Sequence, residues 1–316
     1  MILSCGDALI DFVPAKTADG RDALMPAVGG SCLNVAVGLA RLGAPTGFVG
    51  GLSTDLFGSM IAQHARAAGV DLSHANRSDD QTTLAFVRIV AGESHYAFYD
   101  AETASRKWSY RSGAIDFKVV EAVHMGSTTL VHDRGAAETR AMIDEAGRWS
   151  TISFDPNCRP NLVKHKAAYR TRMEDFANAA DMIKMSDVDF DYLYGNDAYA
   201  DRAQALLAAG RSLFVVTRGP AGALAWHQSA GAIEVTAPAV DVVDTIGAGD
   251  SFQAALLFAL HKQGRLRKEK LKQMSAAELR RALSFAAACA AVTCTRPGAD
   301  PPRWAEMSAA WDDLTG

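Results

Sequence analysis

Short apolar runs bounded by glycine, aspartate or asparagine recur at residues 2–5, 47–49, 122–125, 152–154, 182–185 and 213–217. Runs this short and this apolar read as buried strands. Between them, apolar residues return at three- and four-residue spacing over 34–42, 57–68, 136–149, 169–179 and 202–209, the spacing of helices with one face turned to a core. Regular alternation of strand and helix builds a mostly parallel central sheet flanked by helices, because each crossover carries a helix back over one face of the sheet. The pattern predicts an α/β fold.

Two stretches interrupt the rhythm. Residues 82–90 and 95–100 alternate apolar and polar side chains around the turn-prone Ala91-Gly92-Glu93, which predicts a hairpin and not a crossover. Residues 13–28, rich in turn formers, form a second insertion just after the first strand. Together the insertions, about 13–28 and 82–112, predict a small β-sheet lid that projects from the main layer and shields a site from water. With no internal repeat and no long linker, 1–316 reads as a single domain.

Composition narrows the function classes. Of 316 residues, 49% are hydrophobic and 22% charged, enough apolar material for a core and too little charge for disorder. A formal net charge of −4 gives no global attraction for nucleic acid or an anionic membrane, so any phosphate must be held locally. The five cysteines are scattered, with no C-x-x-C pair, and point to a reducing compartment without a disulfide framework or zinc cluster. Asp7 and Asp11 fall where a signal segment would be apolar, and no run approaches the ~20 apolar residues of a membrane span. A cytoplasmic protein is expected.

The densest chemistry lies in Val243-Asp244-Thr245-Ile246-Gly247-Ala248-Gly249-Asp250-Ser251-Phe252, followed by the apolar helical run 253–260. Gly247, Ala248 and Gly249 let backbone N–H groups approach a ligand while the following helix adds the positive end of its dipole, which makes an anion hole. Asp250, ionised at its ordinary pKa near 3.9, can take a proton from a hydroxyl held beside that hole. Phosphoryl transfer asks mainly for positioning and charge stabilisation, so a base and aimed amides suffice in outline. An isolated G-A-G-D also reads as a capped turn. The Walker G-x-x-x-x-G-K-[ST] and the dinucleotide G-x-G-x-x-G are both missing.

The longer D-T-x-G-A-G-D resembles the signature of the ribokinase-like, or PfkB, carbohydrate kinases. Gly29-Gly30-Ser31-Cys32-Leu33-Asn34-Val35-Ala36 resembles that family's G-G-x-x-x-N-x-A, and Gly51, Asp55 and Gly58 continue it. The likeness runs from Cys5 to about Pro301. It implies a ribokinase-like fold and ATP as phosphoryl donor to a sugar. Asp11, Gly29, Gly30, Asn34 and Phe98 would then bind substrate, the glycines by leaving backbone open to the sugar. Arg159, in Asp155-Pro156-Asn157-Cys158-Arg159-Pro160, would offer its planar fork to the phosphoryl group or the sugar. Lys184, Ser186, Thr217, Gly219 and Gly222 would meet the nucleotide, with 286–291 and 294–298 walling the adenine.

Magnesium is implied with ATP. Where relatives carry N-x-x-E, this chain has Ser186-Asp187-Val188-Asp189, so Asp189, directly or through water, or else Asp187, is the metal contact. A potassium site beside the anion hole would use Asp244. Relatives also imply a homodimer through the lid. The D-x-N-x-R segment is similar to those of the family's fructokinases and 2-keto-3-deoxygluconate kinases, and both substrates stay open. Asp100 stands where relatives carry a basic residue; its charge would repel an acidic substrate and tilts the reading toward neutral fructose. A sugar-sensing protein without catalysis is the reading from another class, disfavoured because Asp250, Gly247 and Gly249 are all intact.

Overall fold

The computed structural model describes residues 1–90 and 93–314. In chain order its strands are Ile2–Cys5 (β1), Leu9–Lys16 (β2), Asp22–Gly29 (β3), Thr46–Val49 (β4), Gly51–Ser53 (β5), Asn76–Ser78 (β6) and Leu84–Val90 (β7). They continue with Glu93–Tyr99 (β8), Ala122–Gly126 (β9), Thr151–Asp155 (β10), Met182–Ser186 (β11), Leu213–Thr217 (β12), Ala223–His227 (β13) and Gly231–Val235 (β14). Among the described residues, eight strands form the main sheet in the order β14-β13-β12-β11-β10-β9-β1-β4. From β4 to β12 all neighbours are parallel; β13 and β14 add an antiparallel edge.

Strand alternation sorts the core into two layers, one on each face of this sheet. Ile2, Ala122, Met182, Leu213 and Val215 turn to one side, where helices Ser31–Arg41, Ala248–Lys262 and Ala276–Cys294 cover them. Leu3, Val123, Ile152, Phe154, Ile183 and Phe214 turn to the other, under helices Asp133–Ala146, Lys166–Ala179 and Asp187–Tyr194. The Ala248–Lys262 helix is buried from Asp250 through Leu260, a helix apolar nearly all round because it is enclosed all round.

A second sheet has the order β3-β2-β7-β8, with β2 and β7 parallel and the flanking pairs antiparallel. It is built from the two insertions singled out by sequence, although β2 begins at Leu9, earlier than the pattern indicated, and Ala91 and Gly92 of the expected turn lie outside the described residues. Asp11, Ala85 and Phe98 share one face of it by register. The opposite face stacks Phe12 on Phe86, with Tyr99 set edge-on against Phe86.

Several helices start one turn before the apolar periodicity shows them: Asp133 instead of 136, Lys166 instead of 169, Tyr199 instead of 202. Their first turns carry exposed side chains, among them Asp133, Arg134, Lys166 and Ala167, so no buried face marks the beginning. Among the described residues no helix is long and apolar enough to cross a membrane.

Candidate active site

The parallel strands all deliver their carboxyl ends to one edge of the sheet, the edge at which ligands sit in open α/β folds. There Asp7 follows β1, Ser127 follows β9, Asn157 and Arg159 follow β10, Ser186 and Thr217 end β11 and β12, and Lys184 lies two residues before the end of β11. The Ala248–Lys262 helix points its N-terminus into the same space. Its N-cap is Gly247, at φ 77°, where a Cβ would lie 2.6 Å from that of Ala299. Both the left-handed backbone and the close approach require glycine. The Ala248 amide closes the preceding turn on the Thr245 carbonyl at 3.2 Å. The amides of Gly249 and Asp250 lie in the first turn, where no intrahelical carbonyl reaches them.

Asp250 is 7% exposed. Ser31 Oγ donates to its Oδ1 at 2.6 Å, Asn34 Nδ2 to its Oδ2 at 2.9 Å, and Asn157 Nδ2 reaches both Ser31 Oγ at 2.8 Å and Asp250 Oδ1 at 3.2 Å. Burial pushes the Asp250 carboxyl above its usual range, against the Ser31 and Asn34 hydrogen bonds and the Lys184 ammonium, which hold it down. A carboxylate with raised proton affinity beside the unpaired amides of a helix N-terminus is suited to general-base work. Asn34 and Asp250 were picked out by sequence; Ser31 and Asn157 were not. Ser31 stands between Gly30 and Asn34 at i−3 on the same helix, so that spacing already placed it on Asn34's face.

The glycine pair 29–30 has a cause of its own. A Cβ on Gly29 would sit 2.1 Å from Asp11 Oδ2, and one on Gly30, at φ 104°, would sit 2.6 Å from the Asp7 carbonyl oxygen. The missing side chains make room for the Asp11 carboxylate and for the chain at Asp7. Asp7 itself clamps loops: its carboxylate accepts from Cys32 N at 3.0 Å, Ser127 Oγ at 2.8 Å and Thr128 Oγ1 at 3.2 Å. Asp11 is pushed up to about 6, chiefly by burial and also by the Asp7 and Asp250 carboxylates, while the Arg159 guanidinium pulls it back. Arg159 Nη1 is held by the carbonyls of Asn157 and Cys158 at 3.2 and 3.0 Å and by the Asn157 side chain.

Phe98 stacks on Tyr96, centroids 5.9 Å apart, on the same face of the smaller sheet as Asp11. Sequence reasoning chose Phe98 and passed over Tyr96, whose phenol is pushed up first by burial and then by Asp11, Asp244 and Asp250. Asn161 Nδ2 donates to the Tyr96 carbonyl at 2.8 Å and ties the hairpin to the loop after β10.

On the other flank, Ser186 caps the Asp187–Tyr194 helix. Thr217 Oγ1 lies 3.4 Å from the Met185 carbonyl, and Gly219 and Gly222, at φ 51° and 86°, make the turn into β13. The Asp244 carboxylate accepts from Ile246 N at 3.0 Å and Gly298 N at 2.8 Å, buckling the D-T-I-G loop to the 294–298 turn. Asp189 accepts from Cys158 N at 2.9 Å and Ser186 Oγ at 2.8 Å. With both oxygens engaged, it fits magnesium through water, which Mg²⁺ readily retains, better than by direct ligation. Among the described residues no group of three or more His, Cys, Asp or Glu could hold a metal ion. A magnesium ion here would rest mainly on phosphate oxygens.

Asp100 does not present the free charge that its place in the sequence suggests. Its carboxylate is ion-paired with Arg106, both side chains largely buried, and His132 stands 3.9 Å away. The charge expected to repel an acidic substrate is already neutralised, so it does not discriminate between fructose and a keto acid.

The family model for pfkB family carbohydrate kinases matches residues 1–306. The chain belongs to this family. Among curated pfkB relatives, a fructokinase of Rhizobium leguminosarum bv. trifolii is 35% identical over 89% of this chain and 86% of its own length. Fructokinase-1 of Oryza sativa subsp. japonica is 34% identical over 95% and 94%. The crystal structure of a Xylella fastidiosa fructokinase with bound ATP superposes with a TM-score of 0.89 at 28% identity, covering 100% of this chain and 99% of that one. A Vibrio cholerae O395 fructokinase bound to fructose, ADP and calcium has a TM-score of 0.83 at 26% identity, with coverage of 98% and 97%. The ribokinase-like architecture and a pfkB sugar kinase, both expected from the motifs, are thereby established.

Proposed function

We propose that this pfkB kinase transfers the γ-phosphoryl group of ATP to a primary hydroxyl of D-fructose. The observation that carries the reading is the double setting of Asp250: its carboxylate faces Ser31, Asn34 and Asn157, while its own amide and that of Gly249 open the helix at the anion hole. A sugar hydroxyl entering beside Asn34 takes one acceptor position on the carboxylate, gives up its proton there, and meets the phosphoryl group held on the amides of Gly249 and Asp250. Asp11, against Gly29, and Arg159 hold the remaining sugar hydroxyls or the migrating group, and Phe98 with Tyr96 covers the apolar face of the ring. Ser186, Thr217, Gly219 and Gly222 line the nucleotide side. Bound magnesium, held through water by Asp189, would offset phosphate charge, and a potassium ion would sit by Asp244. The fructokinase relatives favour fructose over other acceptors.

Coupled ADP release measured with fructose, ribose, glucose, mannose, adenosine and 2-keto-3-deoxygluconate checks the substrate. Fructose is expected to show the largest kcat/KM, and a much larger value for another acceptor would reassign it. Asp11 supplies a second check. Ionised above about pH 6, it accepts sugar hydroxyls; protonated below, it loses acceptor capacity, so the KM for sugar should rise as pH falls through that value. Asp11→Asn should abolish this dependence.

The smaller sheet is also the proposed dimer surface. Among the described residues β2 and β7 pair over Ile10–Phe12 and Leu84–Phe86, which leaves the outer parts of the two hairpins unpaired with each other. Leu24 and Met25 are exposed at 48% and 58%, and Tyr99 at 65%. A second copy seated there would cover unpaired strand edges and apolar area together. A Phe86→Glu, Tyr99→Lys variant should elute as a monomer where the native protein elutes as a dimer.

A further inference from the structure

The seam between the main sheet and the Ala248–Lys262 helix is apolar along most of its length, and apolar packing is non-directional. It holds a helix close without deciding its rotation or its exact height above the sheet. Among the described residues two polar ties join strands of the sheet to this helix, and at the helix's far end His261 Nδ1 pairs with Glu121 Oε2, next to β9, at 2.6 Å. Gln253 Nε2 donates to Ser153 Oγ on β10 at 2.8 Å, and Lys184 Nζ on β11 donates to the Gly249 carbonyl at 3.3 Å. The second tie is anchored from below: Lys184 Nζ also donates to Asp155 Oδ2 on β10 at 2.8 Å, and each of these side chains is 3% exposed. A Cβ on Gly249 would lie 3.2 Å from Lys184 Nζ, so glycine at 249 makes room for the ammonium as well as for a ligand.

A buried ion pair is weak evidence for stability, because desolvation takes back most of the attraction. Its value here is geometric. The pair is fixed by two neighbouring strands of the rigid sheet, and its free donor lands on the one residue that separates Ala248 from Asp250. We propose that Asp155 and Lys184 form a brace that sets the first helical turn, and through it the anion-hole amides and the Asp250 carboxylate, at the angle phosphoryl transfer requires. Lys184 then acts through Gly249 as a positioning residue and not as a nucleotide ligand, which departs from the role the sequence resemblance implied. The inference rests on the kinase reading above and deepens it.

The test compares the native protein with Asp155→Asn, with Lys184→Met, and with the double variant, which removes both charges and leaves no unpaired ion. Each folded variant should lose about 10- to 100-fold in kcat, one step less than deleting an anion-hole donor outright. The KM values for sugar and ATP should stay within about twofold of native. Lys184→Arg, which keeps the charge in a longer fork, should recover part of the loss. Native kcat in a folded Asp155→Asn or double variant would overturn the brace, as would a rise in the ATP KM that accounts for the whole loss, since that outcome assigns Lys184 to the nucleotide. The two variants are independent, so failure of one to fold leaves the other decisive. Native protein and Asp250→Asn run alongside separate this from the underlying reading: a native protein inactive on every sugar refutes the kinase assignment and not the brace.

Discussion

Asp250→Asn should leave a folded protein whose kcat for phosphoryl transfer is about 10³-fold below native, within the range that general bases contribute. Ser31, Asn34 and Asn157 all reach the carboxylate and would still surround the amide, so the sugar KM should change far less than kcat. Stability should move the other way. Burial raises the folded-state pKa of Asp250 above its unfolded value. Its contribution to stability is therefore full below the unfolded pKa and is lost as pH rises through the folded one, so the ionised carboxylate is a net cost at neutral pH. Asparagine removes that cost, and its NH2 need not face only donors, because the Ser31 hydroxyl can rotate to accept from it while the amide oxygen keeps the Asn34 bond. The melting temperature of the variant should exceed native at pH 7, with the difference shrinking toward acid pH. Activity within tenfold of native would show that Asp250 is not the base; a large, equal loss of kcat and sugar affinity would assign it a structural part.

The second large effect is expected at Gly247. Alanine there must adopt φ near 77° and place its methyl 2.6 Å from the Ala299 Cβ, so strain and overlap both push the N-cap away from its position. Displacing the first turn misaims the amides of Gly249 and Asp250 together. The expected loss in kcat is about 10²–10³-fold, comparable to removing one oxyanion-hole donor. Ala299→Gly in the same chain removes the methyl–methyl contact but leaves the Cα of residue 299 at 2.8 Å and the backbone strain, so it should recover only part of the activity. Full recovery would mean that the contact alone, and not the left-handed cap, sets the hole.

Much of the fold was legible because the signals are local. Six strands of the parallel sheet, β1, β4 and β9 to β12, appear as short apolar runs, and the helices between them carry their own three- and four-residue spacing. The antiparallel edge, β13 and β14, was not seen, because half of its positions face solvent and leave no short, wholly buried run to mark it. At the site, the loop of Gly247, Ala248 and Gly249 and Asp250, the proposed base, announce themselves within four residues. What glycine does at 29 and 30 could not be read in the same way, since the atoms it makes room for belong to Asp11 and Asp7, brought there by the turn between β2 and β3 and by the crossing of the chain after β1.

The sequence by itself determined the layering of strand and helix and the family, and it pointed to Asp250 as the proposed base beside the proposed phosphate-binding loop. Periodicity and a contiguous motif are encoded within a few residues, and backbone geometry enforces them wherever the chain goes. Only the tertiary structure decided which side chains stand around that base. Ser31 is 219 residues from Asp250, Asn34 is 216 and Asn157 is 93. Such neighbours meet because several crossovers return strand ends to one edge of the sheet, and no local pattern records that. The same holds for Lys184 under Gly249 and for Arg106 beside Asp100, whose ion pair cancels the charge that the isolated aspartate presented.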